Sequence, residues 1–240
     1  MIIHDVAQGT AKWLALRAGI PTASCFDKII TPGGKASTSA KNYMNLLLAE
    51  RIMGHPAETF QSEWMSRGNE FEQKAVDSYE FQKDCQTVQI GFITNDDGSI
   101  GCSPDRGIVD NPKGGLETKC PSPQVHVTYM LAATGAANEY RCQLQGQLWI
   151  CEWEWVDILS YHPEMPEALF RVYRDDDFIK ELSAHVLSFS RQLEEKSSDF
   201  TERGWIKLAA EETKDPTAGF ISDDDLEWAK KHYTERELGI

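Results

Sequence analysis

The feature that most constrains this chain is a change of period near residue 88. Before it the apolar residues recur with helical spacing. KNYMNLLLAERIM (41–53) runs up to Gly54, and 66–82 carries Phe71, Ala75 and Tyr79 at four-residue intervals. Residues 12–30 read as a helix that turns at Gly19–Pro21 and restarts behind Thr22 or Ser24, both good N-caps. From 88 the pattern becomes short and β-prone. VQIGFIT (88–94), SIGCSPDRGIVD (99–110) and GGLETKC (114–120) are separated by the turn signals NDDG and NPKGG, which predicts an antiparallel meander. A loop at 121–137, a helix at 138–152, strands at 155–161 and 168–174 and an amphipathic helix at 178–196 complete the reading. Helices, meander, helix, strands, helix is an α/β (α+β) order with a central mixed β-sheet flanked by helices. No repeat or long linker divides the chain, so residues 1–199 read as one domain. Residues 200–240 read as a C-terminal extension of unknown role, in which DDDLEWAKKHY is a helix capped by Asp223–Asp225.

Composition excludes several classes. At 41% hydrophobic and 26% charged residues the chain is neither disordered nor collagen-like. No apolar run approaches the ~18 residues of a membrane span, and MIIHDVAQGT lacks the blocks of a signal peptide, so no membrane partner and a cytoplasmic location are expected. The six cysteines form no CxxC pair and no zinc-like cluster, and read as free thiols. A net charge of −14 argues against coating nucleic acid through bulk electrostatics. The charge is uneven, however: residues 1–49 hold five basic side chains against two acidic, whereas 150–199 hold five against twelve. A positive surface would lie near the N-terminus.

There is no GxSxG, HExxH, GxxxxGK[ST] or GxGxxG, and the six histidines form no pattern. That leaves the carboxylates. Ser103-Pro104-Asp105 is followed, after eleven residues, by Glu117-Thr118-Lys119. Proline cannot donate to a ladder and marks a strand end or bulge at Asp105. Glu117 and Lys119 are two apart on a strand and share a face. If the NPKGG hairpin folds 105–110 back near 115–119, Asp105 meets Glu117. Two carboxylates suit Mg²⁺, which favours hard oxygen ligands and keeps several waters. Lys119 would orient a water or neutralise a phosphoryl transition state. Read locally, an exposed Glu/Lys pair and a turn-forming Asp remain the alternative. Gln145 shares a helix face with Leu148 and Trp149, so a polar group among core residues needs a partner there; Gln143 is the competing glutamine.

The spacing PD-x11-ExK resembles the motif of the PD-(D/E)xK nucleases. Five blocks resemble one branch of them, the bacteriophage lambda exonuclease family of viral recombinases: WLALRxGIxTAS (13–24), RGNEFE (67–72), CSPD (102–105), GLETKCP (115–121) and YRCQLQGQLW (140–149). They stand in the family's order within roughly residues 12–165. The resemblance implies a restriction-endonuclease-like core. It implies that Asp105 and Glu117 bind metal, with the Thr118 carbonyl as a backbone ligand and Glu72 joining a second metal site. It makes Lys119 the catalytic lysine and Gln145 a glutamine on the helix beside the site. Arg17, Ser24 and Ser103 resemble the family's pocket for a terminal 5′-phosphate, and Lys35 in the glycine loop is a further DNA contact. Read locally, Ser24 is an N-cap, Arg17 a surface ion pair and Glu72 a helix-surface glutamate.

The activity implied is a Mg²⁺-dependent exonuclease, with one or two ions and Mn²⁺ able to substitute. It would digest one strand of double-stranded DNA 5′→3′ from a 5′-phosphorylated end and leave a 3′ overhang for a single-strand-annealing recombinase. The resemblance further implies a toroidal homotrimer, phage or prophage encoded, threaded by DNA. The rival readings are an endonuclease of the same superfamily and a relative that binds DNA but has lost catalysis.

Overall fold

In the computed structural model of the chain, residues 1–57 and 63–206 are described, with side chains from residue 71 in the helix that begins at Glu63. The expected helix at Asp223–Asp225 lies outside the described residues. The elements run β1 (Ile2–His4), α1 (Ala11–Arg17), a 3₁₀ helix (Ala23–Lys28), α2 (Ala40–Met53), α3 (Glu63–Lys83), β2 (Thr87–Gln89), β3 (Phe92–Thr94), β4 (Gly101–Cys102), β5 (Arg106–Ile108), β6 (Asn111–Lys119), α4 (Pro123–Leu131), α5 (Arg141–Ile150), β7 (Trp155–Ser160), β8 (Ala168–Tyr173) and α6 (Asp176–Glu202). The mixed α/β architecture is as expected, and the domain boundary expected at 199 falls inside α6.

The meander is split where the sequence suggested continuous strands. VQIGFIT breaks at Gly91 because a Cβ there would lie 2.2 Å from the Val6 carbonyl oxygen. Its halves join different sheets: β3 pairs with β1 and β4, whereas β2 pairs with β5. The stretch 99–110 divides likewise at Ser103-Pro104-Asp105, so the chain leaves the small sheet as β4 and enters the large one as β5. The large sheet has the order β2-β5-β6-β7-β8 and is mixed, because β6 and β7 run parallel from Gly114↔Trp155 to Lys119↔Ser160. The expected loop at 121–137 contains α4, whose Pro123 stands in the first turn, where a missing N–H costs nothing.

The large sheet has a core on each face. On one side α2, α5, α6 and the 3₁₀ helix bring Leu48, Leu144, Leu148, Leu182 and Phe26 against Val156 and Ile158 of β7. On the other, Ala75, Val76 and Tyr79 of α3 pack on Leu116, Trp155 and Leu159. Strand side chains alternate. With Leu116 committed to the α3 side, Glu117 and Lys119 must face α5. The α3 side also buries Asp157, which accepts from Tyr79 Oη at 2.8 Å and from both Nε and Nη2 of Arg171, at 2.8 and 2.9 Å. All six cysteines are free; Cys102 and Cys151 touch, Sγ to Sγ 3.5 Å, without a bond.

Gly115 allows β6 to lie under Trp153, for a Cβ there would fall 2.0 Å from Trp153 Cζ3. Gly115→Ala should therefore cost about 2–3 kcal/mol through overpacking, lowering the thermal midpoint by roughly 5–10 °C. Calorimetry checks this; an unchanged midpoint would show that the ring moves aside freely.

Candidate active site

The site forms where β5 begins and β6 ends. Pro104 stops β4, and Asp105 precedes the first residue of β5, Arg106, which pairs with Leu116. This register sets Asp105 beside the Glu117–Thr118 segment. Asp105 Oδ2 accepts two hydrogen bonds from Thr118, from its N–H and its hydroxyl, both at 2.7 Å. The Thr118 side chain thus orients the first carboxylate. Glu117, only 3% exposed, is held by three donors. Its Oε1 accepts from Lys119 Nζ at 2.7 Å and from Gln143 Nε2 at 2.5 Å, and its Oε2 accepts from Gln147 Nε2 at 2.7 Å. Lys119 Nζ also reaches Gln143 Oε1 at 3.4 Å and lies 4.5 Å from the centre of the Tyr140 ring.

Charge is crowded here. Burial, and then the negative charge of Glu117, push the Asp105 carboxyl up to about 7, against the pull of Lys119 and the Thr118 N–H. Burial alone would lower the Lys119 pKa, but Glu117 and Asp105 outweigh it and hold the ammonium above its ordinary value. The two carboxylates therefore favour the charged form of Lys119. Glu72, on α3, is raised by burial and by Glu117, while Arg106 and Lys119 pull it down. Arg106 Nη1 stands 3.8 Å from Glu72 Oε1 and donates to the Asp105 carbonyl at 2.9 Å, and Nη2 donates to Gln73 Oε1 at 3.1 Å. This buried arginine ties α3 to the motif.

Glu72 thus lies within the electrostatic reach of the pair, yet among the described residues no three His, Cys, Asp or Glu side chains converge on a metal-sized point. Two carboxylates still fit a hard divalent cation, which takes one or two and keeps waters for the rest. A pair in which one carboxylate raises the other is also the arrangement a cation would relieve. The nearby Cys120 is no competitor, because burial pushes its thiol up to about 12.

A second cluster forms at the end of α1. Thr10 caps this helix, its hydroxyl accepting from Trp13 N–H. Arg17, one turn beyond Trp13, donates from Nη1 to Ser103 Oγ at 3.0 Å and from Nη2 to Ser24 Oγ at 3.5 Å. Arg17, Ser24 and Ser103 are therefore brought together. Trp13, which sequence reasoning passed over, completes the group: its Nε1 donates to Ser103 Oγ at 3.0 Å, and the Arg17 guanidinium lies 4.2 Å from its ring centre. Arg17 meets no carboxylate at ion-pair distance among the described residues, so it is not the surface ion pair that local reading allowed. Ser24 does not cap its helix through its side chain, and neither does Thr22, whose Oγ1 lies 3.2 Å from Ser24 Oγ. Lys35 closes the glycine loop through its backbone, with its carbonyl accepting from Thr31 N–H at 2.7 Å.

Gln145 requires correction, because the structure turns it away from the carboxylates. Its Nε2 donates to the Tyr173 carbonyl at 2.9 Å and its Oε1 accepts from Asp175 N–H at 3.0 Å. Residues two apart on a helix face opposite ways, so it is Gln143 and Gln147, flanking it on α5, that reach Glu117. The Q-x-Q-x-Q spacing carried that choice; only the strand beneath α5 resolves it. Arg106, adjacent to the SPD triplet, was legible only as its neighbour.

A carboxyl raised to about 7 binds its proton in the folded chain, while the unfolded chain releases it near pH 3.9. From about pH 4 to 7 the folded state holds more protons, so stability falls as pH rises through that window. In EDTA at pH 8, Asp105→Asn should melt higher than the parent by on the order of 1 kcal/mol, and the gap should close by pH 4. An Asn variant less stable at pH 8 would contradict the crowding.

Known proteins resemble the chain in sequence and in fold. The YqaJ-like viral recombinase domain matches residues 12–154. An alkaline exonuclease, LHK-Exo from Laribacter hongkongensis, superposes with a TM-score of 0.73 at 27% identity over 81% of this chain and 98% of its own. The same protein in complex with dAMP gives 0.72 at 28%, with the same coverage. A phage-related exonuclease from Haemophilus somnus 129PT shares the fold, with a TM-score of 0.62 at 17% identity over 75% of this chain and 96% of its own. None of the curated proteins matches the chain. With well over half its length matched and its fold that of the alkaline exonucleases, the chain belongs to the YqaJ-like viral recombinase family.

Proposed function

We propose that the chain is a Mg²⁺-dependent exonuclease that enters linear double-stranded DNA at a 5′-phosphorylated end and degrades that strand 5′→3′. The observation that carries this reading is the convergence of Asp105, Glu117 and Lys119 at the β5–β6 corner. Asp105, Glu117 and the Thr118 carbonyl would hold the cation, with Glu72 alongside for a second, and Mn²⁺ would substitute. A divalent ion held there would supply Lewis-acid stabilisation of phosphoryl charge and lower the pKa of a water. Lys119 adds a positive charge and N–H donors for the oxygen on which charge develops. Gln143 steadies both Glu117 and Lys119.

Arg17, Ser24 and Ser103 offer a planar guanidinium fork and two hydroxyls, a donor set suited to a terminal phosphate. An acidic chain needs a means of staying on DNA, and enclosure by a ring-shaped homotrimer supplies one. The 3′ overhang would pass to a single-strand-annealing recombinase within the cytoplasm of a phage- or prophage-bearing cell. No helix among the described residues is long and apolar enough to cross a membrane. Residues 1–199 would act as the exonuclease domain, with Lys35 as a further DNA contact.

The test is digestion of linear and covalently closed plasmid with Mg²⁺ or EDTA. Only linear DNA with Mg²⁺ should be degraded; cleavage of closed circles would make the protein an endonuclease, and inertness on both would end the nuclease reading. Ends bearing 5′-phosphate should be degraded faster than 5′-hydroxyl ends. Arg17→Ala should shrink that difference by about ten- to a hundredfold, the equivalent of one charge-assisted hydrogen bond of about 1.5–3 kcal/mol. Equal rates on both ends for the parent protein would refute the pocket.

A further inference from the structure

We propose that Gln147 is a positioning residue, fixing the Glu117 carboxylate for cation capture from a place that its own packing does not favour. The inference rests on the metal-ligand role given to Glu117 above. Gln147 is 1% exposed and its amide makes one hydrogen bond, from Nε2 to Glu117 Oε2 at 2.7 Å. Its Oε1 is buried and has no donor among the described residues. A buried acceptor left unpaired destabilises a fold, whereas an apolar side chain of the same shape would not. Packing therefore does not call for glutamine here.

The bond to Glu117 does call for it. Lys119 and Gln143 both donate to Oε1, and among the described residues Gln147 is the one donor to Oε2. A carboxylate oxygen has two lone-pair sites. On Oε1 both are engaged; on Oε2 one is held by Gln147 and the other stays available to a cation. The terminal torsion of a glutamate is broad, and Lys119 and Gln143 hold only the Oε1 end of the carboxylate, so among the described residues the direct hold on Oε2 comes from Gln147. Gln143 and Gln147, one turn apart on α5, grip the two oxygens from the same side. Gln145 between them braces the β8–α6 turn instead.

The experiment compares full-length parent, Gln147→Met and Gln147→Leu by thermal unfolding in EDTA and by calorimetric titration with Mn²⁺ alone, with no DNA present. Both variants should unfold close to the parent temperature, because each removes the unpaired oxygen, a gain, together with a donor to the buried Glu117 carboxylate, a loss of similar size. Both should bind Mn²⁺ about tenfold more weakly, the loss of one hydrogen bond to a charged group. A packing role would give the opposite pair of results, a lowered midpoint with unchanged Mn²⁺ affinity, and would overturn the proposal. Failure of both variants to fold would overturn it too. Parent protein that binds Mn²⁺, alongside variants that bind it equally well, refutes the proposal alone. Parent protein that takes up no Mn²⁺ removes the metal-ligand reading of Glu117 and this proposal together.

Discussion

A carboxylate buried as deeply as Glu117 must have donors built around it, because the interior offers no water to replace those it gave up. Much of the structure answers that demand. The alternation of β6 sends Leu116 into the α3 core and so turns Glu117 beneath α5. The parallel pairing of β6 with β7 and the packing of α5 on the same face set two amides above the carboxylate. Lys119, on the same strand face, balances its charge. Burial first, and the charge of Glu117 second, still raise the Asp105 carboxyl above its usual range. A site with an excess of negative charge and an ammonium suits a cation and a phosphoryl group together.

The sequence carried the centre of this arrangement well. Pro104 marked the strand break, and the spacing of two put Glu117 and Lys119 on one face. These features are local, and local chemistry decides them. The chain reverses at Val109–Asp110, however, and the NPKGG stretch expected to turn is the first half of β6 instead. The choice between Gln145 and Gln143 was not local, and Gln147 was not among the candidates. All three lie on α5, and which face meets the sheet depends on how that helix packs against the 3₁₀ helix and β7. Arg106 and Trp13 were hidden for the same reason: an arginine beside a motif and a tryptophan in a helix acquire their roles only from partners far along the chain, Glu72 and Ser103. The split of VQIGFIT between two sheets turned on the close approach of Gly91 to Val6, a contact no periodicity announces.

The two clusters are linked through one short segment. Ser103 bonds to Arg17 and Trp13, and Asp105, two residues on, bonds to Thr118. Pro104 lies between them and fixes the backbone, so the candidate phosphate pocket and the candidate cleavage site are joined by a stiff three-residue bridge. In the proposed reaction that stiffness would set the distance between a captured strand end and the bond to be broken. It also gives an acidic protein a small, local source of positive charge where a strand end would enter.

The central claim is that Lys119 stabilises charge developing on a phosphoryl group. It is tested most directly by single-turnover digestion of 5′-phosphorylated duplex at saturating Mg²⁺ with Lys119→Met. The rate should fall by about 10²–10³, as for other electrostatic stabilisers, and more Mg²⁺ should not restore it. A Lys119→Met rate close to that of the parent would contradict it.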